Sequence, residues 1–182
     1  MYILYYRFPN QIRKTNKMVL EKLNQAGIID LLGSIYEYSP WVAEILFSQG
    51  ITSQDNDVGF LAERMKKIVD SSSEEMKLNL LQAHPELAGN LAISGNLTKD
   101  STAEQASAGL DQCSKEEFAE FSKLNFEYTK KFGHPFIIAV KGLTRSDILN
   151  SFKQRINNDS QMEFETALRE VHKIALLRLK AL

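Results

Sequence analysis

Three short stretches of this chain carry the side chains best suited to chemistry: His84-Pro85-Glu86-Leu87-Ala88, Ser101-Thr102-Ala103-Glu104-Gln105 and Phe132-Gly133-His134-Pro135-Phe136. Each reads as a helix boundary, and boundaries leave backbone N–H and C=O groups without an intrahelical partner. The proline after His84 moves that histidine out of the α region, so the preceding helix should end near Ala83. Pro85 suits the first position of a following helix. His84 would then stand at a helix N-terminus, where the positive end of the dipole disfavours imidazolium. A neutral imidazole near pH 7 is what a general base or hydrogen-bond acceptor needs. The competing reading is a histidine that only caps or packs.

Glu104 has a competitor as well, because Ser101-x-x-Glu104 has the form of a capping box. A helix start also presents free N–H groups to an oxygen-rich ligand, so the two readings can coexist. Arg178 lies within Ile174-Ala175-Leu176-Leu177-Arg178-Leu179. If buried there, its charge needs a carboxylate from the protein or from a substrate; otherwise it is a solvated residue at a helix end. Arg155 and Lys141 are milder candidates of the same kind. His134 precedes a proline just as His84 does, and His172 reads as a helix-surface residue.

The elements that must position these groups are helices almost throughout. Ser39-Pro40-Trp41 suggests an N-cap serine with proline at the first helical position, opening a helix through about Phe47. From Val58 to Val69, Phe60, Leu61, Met65, Ile68 and Val69 recur at helical spacing. Ser71 and Ser72 offer capping boxes with Glu74 and Glu75. Ser114-x-x-Glu117 is a further box, opening a long amphipathic helix that Phe132-Gly133 ends. Thr144 to Asp147 begins another, Asn157-Asn158-Asp159 interrupts it, and a last helix runs from about Gln161. One segment differs: Pro135-Phe136-Ile137-Ile138-Ala139-Val140 is β-prone with no comparable strand to pair with. It is either an extended segment with spare backbone groups for a polar ligand or a short buried helix. The fold class expected is all-α: a single-domain multi-helix bundle over residues 18–182, with one short extended segment near the site. Residues 1–17 show no sustained period and read as a poorly ordered or appended extension.

The chain has 182 residues, enough to bury a sizeable core, with 43% hydrophobic and 25% charged residues and a formal net charge of -1. That balance supplies no global basic field for nucleic acid or anionic lipid. The single cysteine, Cys113, excludes an intramolecular disulfide and any cysteine-rich zinc site. No Gly-rich phosphate loop, HExxH or Gly-x-Ser-x-Gly elbow occurs, and three scattered histidines do not suggest a metal triad. No run approaches membrane-spanning length, and no targeting signal is evident, so a cytoplasmic location is expected.

Taken in order, the motifs resemble the 2-oxo-4-hydroxy-4-carboxy-5-ureidoimidazoline (OHCU) decarboxylase family of urate catabolism. The matching residues run from Ile35-Tyr36-Glu37-Tyr38-Ser39-Pro40-Trp41-Val42-Ala43 through His84 to Ala88, Ser101-x-x-Glu104-Gln105 and Phe132-Gly133-x-Pro135-Phe136-Ile137. They continue with Arg155-x-x-Asn158, Glu163, Ala167-Leu168, Glu170-Val171, Lys173 to Ala175 and Arg178-Leu179. The resemblance covers roughly Leu20 to the C-terminus. It implies an all-helical, cofactor-free and metal-free carboxy-lyase that forms (S)-allantoin and carbon dioxide, with a homodimer as the expected assembly. It also implies His84, Glu104 and Arg178 as catalytic residues. Pro85, Ser101, Thr102, Ala103, Glu104, Gln105 and the segment Phe136, Ile137, Ile138, Ala139, Val140 would contact the ureidoimidazoline substrate. A non-catalytic helical ligand-binding or interaction module is the alternative.

Overall fold

The computed structural model describes residues 19–89 and 97–182, and among these the chain forms eight α-helices and no strand. The expected extension over residues 1–17 lies outside the described residues. The helices are α1 (Gln25–Leu32), α2 (Trp41–Ser48), α3 (Val58–Asp70), α4 (Glu74–Gln82), α5 (Lys99–Ser107), α6 (Lys115–Phe132), α7 (Arg145–Arg155) and α8 (Ser160–Leu179). Most begin on a side-chain cap. Asp57, Ser73, Thr98, Ser114, Thr144 and Asp159 each accept a hydrogen bond from a backbone N–H of the first turn.

Several boundaries differ from those read off the sequence. Ser73, not Ser71 or Ser72, caps α4. Pro40 occupies the cap position of α2, one residue later than expected. The Ser101–Glu104 pair is not a capping box. Thr98 starts that helix, which places Ser101 and Glu104 inside it with side chains free for other partners. No helix begins at Pro85, where the chain runs as a loop with a turn at Leu87 and Ala88. At α4, α2 and α5 more than one cap signal lay within a few residues, and the tertiary path of the chain selected among them.

Two apolar clusters fill the interior. The first gathers α1, α2, α3, the end of α4 and the inner face of α8, with Leu61, Met65 and Val69 of α3 wholly buried. Burying each such side chain contributes about 1.5–3 kcal/mol. The second joins Leu87 and Leu110 to α6 and α7, around a stack of Tyr128, Phe136 and Phe152. Between them runs Pro135 to Val140, extended and without a partner strand. Its side chains alternate: Phe136, Ile138 and Val140 enter the second cluster, Ile137 and Ala139 the first. Alternation by two is what extended backbone imposes. The β-prone sequence is therefore a wall shared by two cores, and a buried helix over these residues is excluded.

That wall is pinned by a buried polar cluster. Arg155 at the end of α7 donates from Nη1 to the Ile137 carbonyl (2.7 Å), and its guanidinium lies 4.5 Å from the centre of the Phe136 ring. The same arginine pairs with Glu163 of α8, whose carboxylate also accepts from Tyr128 Oη and, at 2.7 Å, from Asn158 Nδ2. Gly133, at φ +77°, turns the chain from α6 into this segment, a left-handed conformation that glycine adopts without steric cost.

Candidate active site

His84 follows the end of α4, so it sits at a helix C-terminus and not at the N-terminus the sequence suggested. Its Nδ1 lies 2.9 Å from the Leu80 carbonyl oxygen. A carbonyl only accepts, so the proton of the neutral ring is on Nδ1 and Nε2 keeps its lone pair. The residue is 8% exposed, and burial pulls its pKa below the ordinary histidine value. The Leu80 bond and the Glu37 charge oppose that shift, and Arg178 adds to it. The shift has the direction expected from sequence but a different cause, desolvation, since His84 stands at a helix C-terminus.

Pro85 and Leu87 continue along one side of a narrow cleft that His84 also lines. Gln105 of α5 holds this loop from opposite ends: its Oε1 accepts from Ala88 N–H at 3.0 Å, and its Nε2 donates to the Glu86 carbonyl at 3.2 Å. Ser101, Glu104 and Gln105, one turn apart on α5, form the facing side; Phe136, Ile137, Ile138 and Val140 form the floor, with Ile174 and Arg178 of α8 beside them. Among the described residues, the backbone N–H groups of Phe136, Ile137, Ile138 and Val140 donate no hydrogen bond, whereas Ala139 N–H donates to Glu170 Oε2. Free amides beside an apolar floor suit a small polar heterocycle.

Arg178 is buried and fully occupied by the protein. Its Nε donates to Glu104 Oε1 at 2.8 Å and its Nη2 to Glu104 Oε2 at 2.9 Å, a parallel two-bond clamp. Nη2 also donates to Ser101 Oγ at 3.3 Å, and Nη1 to the Ser34 carbonyl at 3.2 Å. Nη1 lies 2.6 Å from Glu37 Oε2 as well, an ionic contact without hydrogen-bond alignment. Burial works against this cation, but Glu104 and Glu37 together hold its pKa above the usual arginine value.

Of the residues the sequence nominated, His84, Pro85, Ser101, Glu104, Gln105, Phe136, Ile137, Ile138, Val140 and Arg178 line one cleft. Thr102 and Ala103 do not. Both face outward on α5, where Thr102 Oγ1 donates back to the Thr98 carbonyl. Ala103 and Ala139 instead border a neighbouring hollow on the far side of the Arg178–Glu104 pair. Lys141 borders that hollow too, and Arg155 is committed to the polar cluster behind the wall. His134 is 1% exposed and closed in by Tyr128, Phe132 and Phe164, with Nδ1 on the Pro135 carbonyl. His172 is no surface residue: its ring bridges Tyr36 Oη at 3.0 Å and Asp70 at 3.1 Å. Glu37 was missed as a site residue. Its only sequence signal was a carboxylate inside the aromatic run Ile35 to Trp41.

The helical scaffold brings an imidazole, an arginine-clamped carboxylate and an extended apolar segment to one small cleft, an arrangement suited to acid–base chemistry on a small polar molecule. Comparison with known proteins sharpens the class. The family model for OHCU decarboxylase matches residues 21–180. Proteins named 2-oxo-4-hydroxy-4-carboxy-5-ureidoimidazoline decarboxylase from Haloferax volcanii and Halalkalicoccus jeotgali are each 40% identical to this chain. The first aligns over 88% of this chain and 91% of its own length, the second over 91% and 92%. A crystal structure of (S)-allantoin synthase superposes with a TM-score of 0.68 at 34% identity, over 89% of this chain, which spans about half (52%) of that one. A crystal structure of OHCU decarboxylase in the presence of (S)-allantoin shares the fold, with a TM-score of 0.66 at 24% identity. The chain belongs to the OHCU decarboxylase family.

Proposed function

We propose that this protein decarboxylates OHCU to (S)-allantoin and carbon dioxide, a step of urate degradation, with His84, Glu104 and Arg178 as its polar machinery. The observation that carries the reading is that His84, with Nδ1 held on the Leu80 carbonyl and Nε2 left to accept, lines the same cleft as Glu104 and Arg178. The reacting carbon bears a hydroxyl and a carboxylate and adjoins a ring C=N bond. His84 Nε2 accepts the hydroxyl hydrogen or proton. The bond to the carboxylate breaks, its electron pair forms a carbon–carbon double bond, and the C=N electrons move onto nitrogen, which is protonated. Collapse of the resulting enol to the carbonyl then places a proton on the neighbouring ring carbon. One proton is consumed overall, balancing the loss of the carboxylate charge as neutral carbon dioxide.

The ring imine serves as the electron sink, so the reaction itself calls for no carried sink. Glu104 accepts from the ureido or ring N–H groups, and Arg178 acts by holding Glu104 in place. Backbone amides of the segment that make no bond among the described residues, those of Phe136, Ile138 and Val140 on one side of the extended chain, meet the substrate's carbonyl oxygens. Among the described residues, no group of three or more His, Cys, Asp or Glu could hold a metal ion, and no helix is long and apolar enough to cross a membrane. A cytoplasmic homodimer is part of the reading, as is a dispensable segment over residues 1–17, which precede the family match.

The test is stereospecific allantoin formation from freshly generated OHCU, followed by circular dichroism. Enzyme should accelerate appearance of the S signal over the spontaneous racemic background. A time course indistinguishable from that background would remove the proposal. Light scattering at micromolar concentration should give twice the chain mass.

A further inference from the structure

The cleft's arginine has a second carboxylate that the mechanism above does not use. Glu37 lies in the turn after α1, and its side chain is wholly shielded from solvent behind Arg178. Glu37 Oε1 accepts from Thr98 Oγ1 and from Ser101 Oγ, both at 2.8 Å, while Oε2 sits 2.6 Å from Arg178 Nη1. Burial alone would push its carboxyl upward; the Arg178 charge and the two hydroxyl bonds outweigh that and hold it below the usual carboxylate range. It is therefore ionised in a place where an ion is costly.

Two features argue against an incidental ion pair. Glu37 has φ +42°, a left-handed conformation that side-chain-bearing residues seldom adopt and that costs roughly 1–3 kcal/mol. Among the described residues the other such position is Ala88, at φ +49°, whose N–H is tied to the cleft residue Gln105. Strain thus falls on both sides of the same cleft. The other feature is charge. One guanidinium faces two carboxylates, so Arg178 carries no surplus charge to offer an anionic substrate, and none of its nitrogens is free.

We propose that Glu37 is a positioning residue of the active site: it locks the Arg178 guanidinium so that the fork clamps Glu104 and cannot turn toward the substrate's carboxylate. The leaving carboxylate is then seated against Leu87, Ile137 and Ile174 without a salt bridge, and it loses its charge on departing as carbon dioxide. An arginine free to pair with that carboxylate would stabilise the reactant more than the transition state and raise the barrier. This inference deepens the decarboxylase reading and rests on it.

The test compares Glu37→Gln and Glu37→Asp with wild type by steady-state kinetics on OHCU. A separate readout that needs no turnover is the NMR titration of the His84 ring in the ligand-free protein, assigned with His84→Asn. Glu37→Gln keeps the shape and can still accept from Thr98 and Ser101, but it releases Arg178. It should lower kcat about a hundredfold, the effect of a misplaced catalytic group, while KM stays level or falls. The His84 titration should move to lower pH, because the carboxylate that favours imidazolium is gone. Glu37→Asp should recover part of kcat. A rise in KM with kcat unchanged would overturn the proposal, and so would a lowered melting temperature with kcat and the His84 titration unmoved. Wild-type protein without OHCU decarboxylation, but with the titration shift in Glu37→Gln, would overturn the functional reading while sparing the charge coupling.

Discussion

Among the described residues two largely buried arginine–glutamate clusters are anchored on α8, and they are used differently. Near the start of α8, Glu163 accepts from Arg155, Tyr128 and Asn158, and no part of its side chain meets solvent. Near the end of the same helix, Arg178 clamps Glu104, whose side chain remains 31% exposed along the cleft. The chemical groups are alike. A carboxylate surrounded by protein donors holds elements together, whereas one clamped from behind keeps lone pairs for something else. The two proline-preceding histidines repeat the lesson. Both have Nδ1 on a main-chain carbonyl, but the ring of His134 packs among Tyr128, Phe132 and Phe164, whereas His84 borders the cleft that Glu104 and Arg178 line.

Substitutions should separate the two kinds of site. His84→Asn should fold normally and lose on the order of a hundredfold or more in kcat/KM. His134→Asn should lower the melting temperature and leave kcat within a few-fold; equal, mild kinetic effects of the two would erase the distinction. Glu104→Gln should cost roughly tenfold or more in kcat with little change in melting temperature, since Thr98 and not Glu104 caps α5. Glu163→Gln should do the reverse. Weakening a pair whose carboxylate is wholly buried should cost about 3 kcal/mol of stability, read by urea denaturation, with a smaller kinetic effect than Glu104→Gln.

A gentler probe is pH. All three histidines titrate below their ordinary value, with burial the first cause in each. Below about pH 6.5 the unfolded chain takes up protons that the native state resists, so stability should fall as pH falls through that window and be insensitive just above it. kcat/KM should decline on the acid side at a lower pH than an ordinary histidine would give, as His84 becomes imidazolium. An acid limb at or above the ordinary value would show that His84 is not the titrating base. The smallest effect expected is none: dialysis against a strong chelator should leave turnover unchanged, and activity restored only by a divalent ion would return the site to metal chemistry.

Much of this arrangement was legible because its signals are local. Ser114 with Glu117 and Thr144 with Asp147 form the boxes their spacing suggests. Gly133 ends α6, and the β-prone character of Phe136 to Val140 allowed an extended segment, though their unbroken apolar run left a buried helix equally open until the alternation between two cores was seen. What sequence could not supply was choice among neighbouring signals and pairing at long range. Ser101 looks like a cap until Thr98 is seen to take that role. Proline after His84 ends one helix but does not start another. Glu37 meets Arg178 from the far end of the chain, and no periodicity or spacing encodes a partnership that only the folded path creates.

The placement of Glu163 and Arg178 on one helix has a consequence for how this protein can change. They stand roughly four turns, about 22 Å, apart on a continuous helix, so α8 behaves as a gauge block between the wall's rear anchor and the cleft's clamp. Exchanging outward-facing residues along it leaves that distance untouched. Adding or removing one residue between the two would swing one end by roughly 100° and shift it by about 1.5 Å, detaching either the wall or the clamp. Drift in this helix is therefore confined to substitution, and length variation must be sought in the loops.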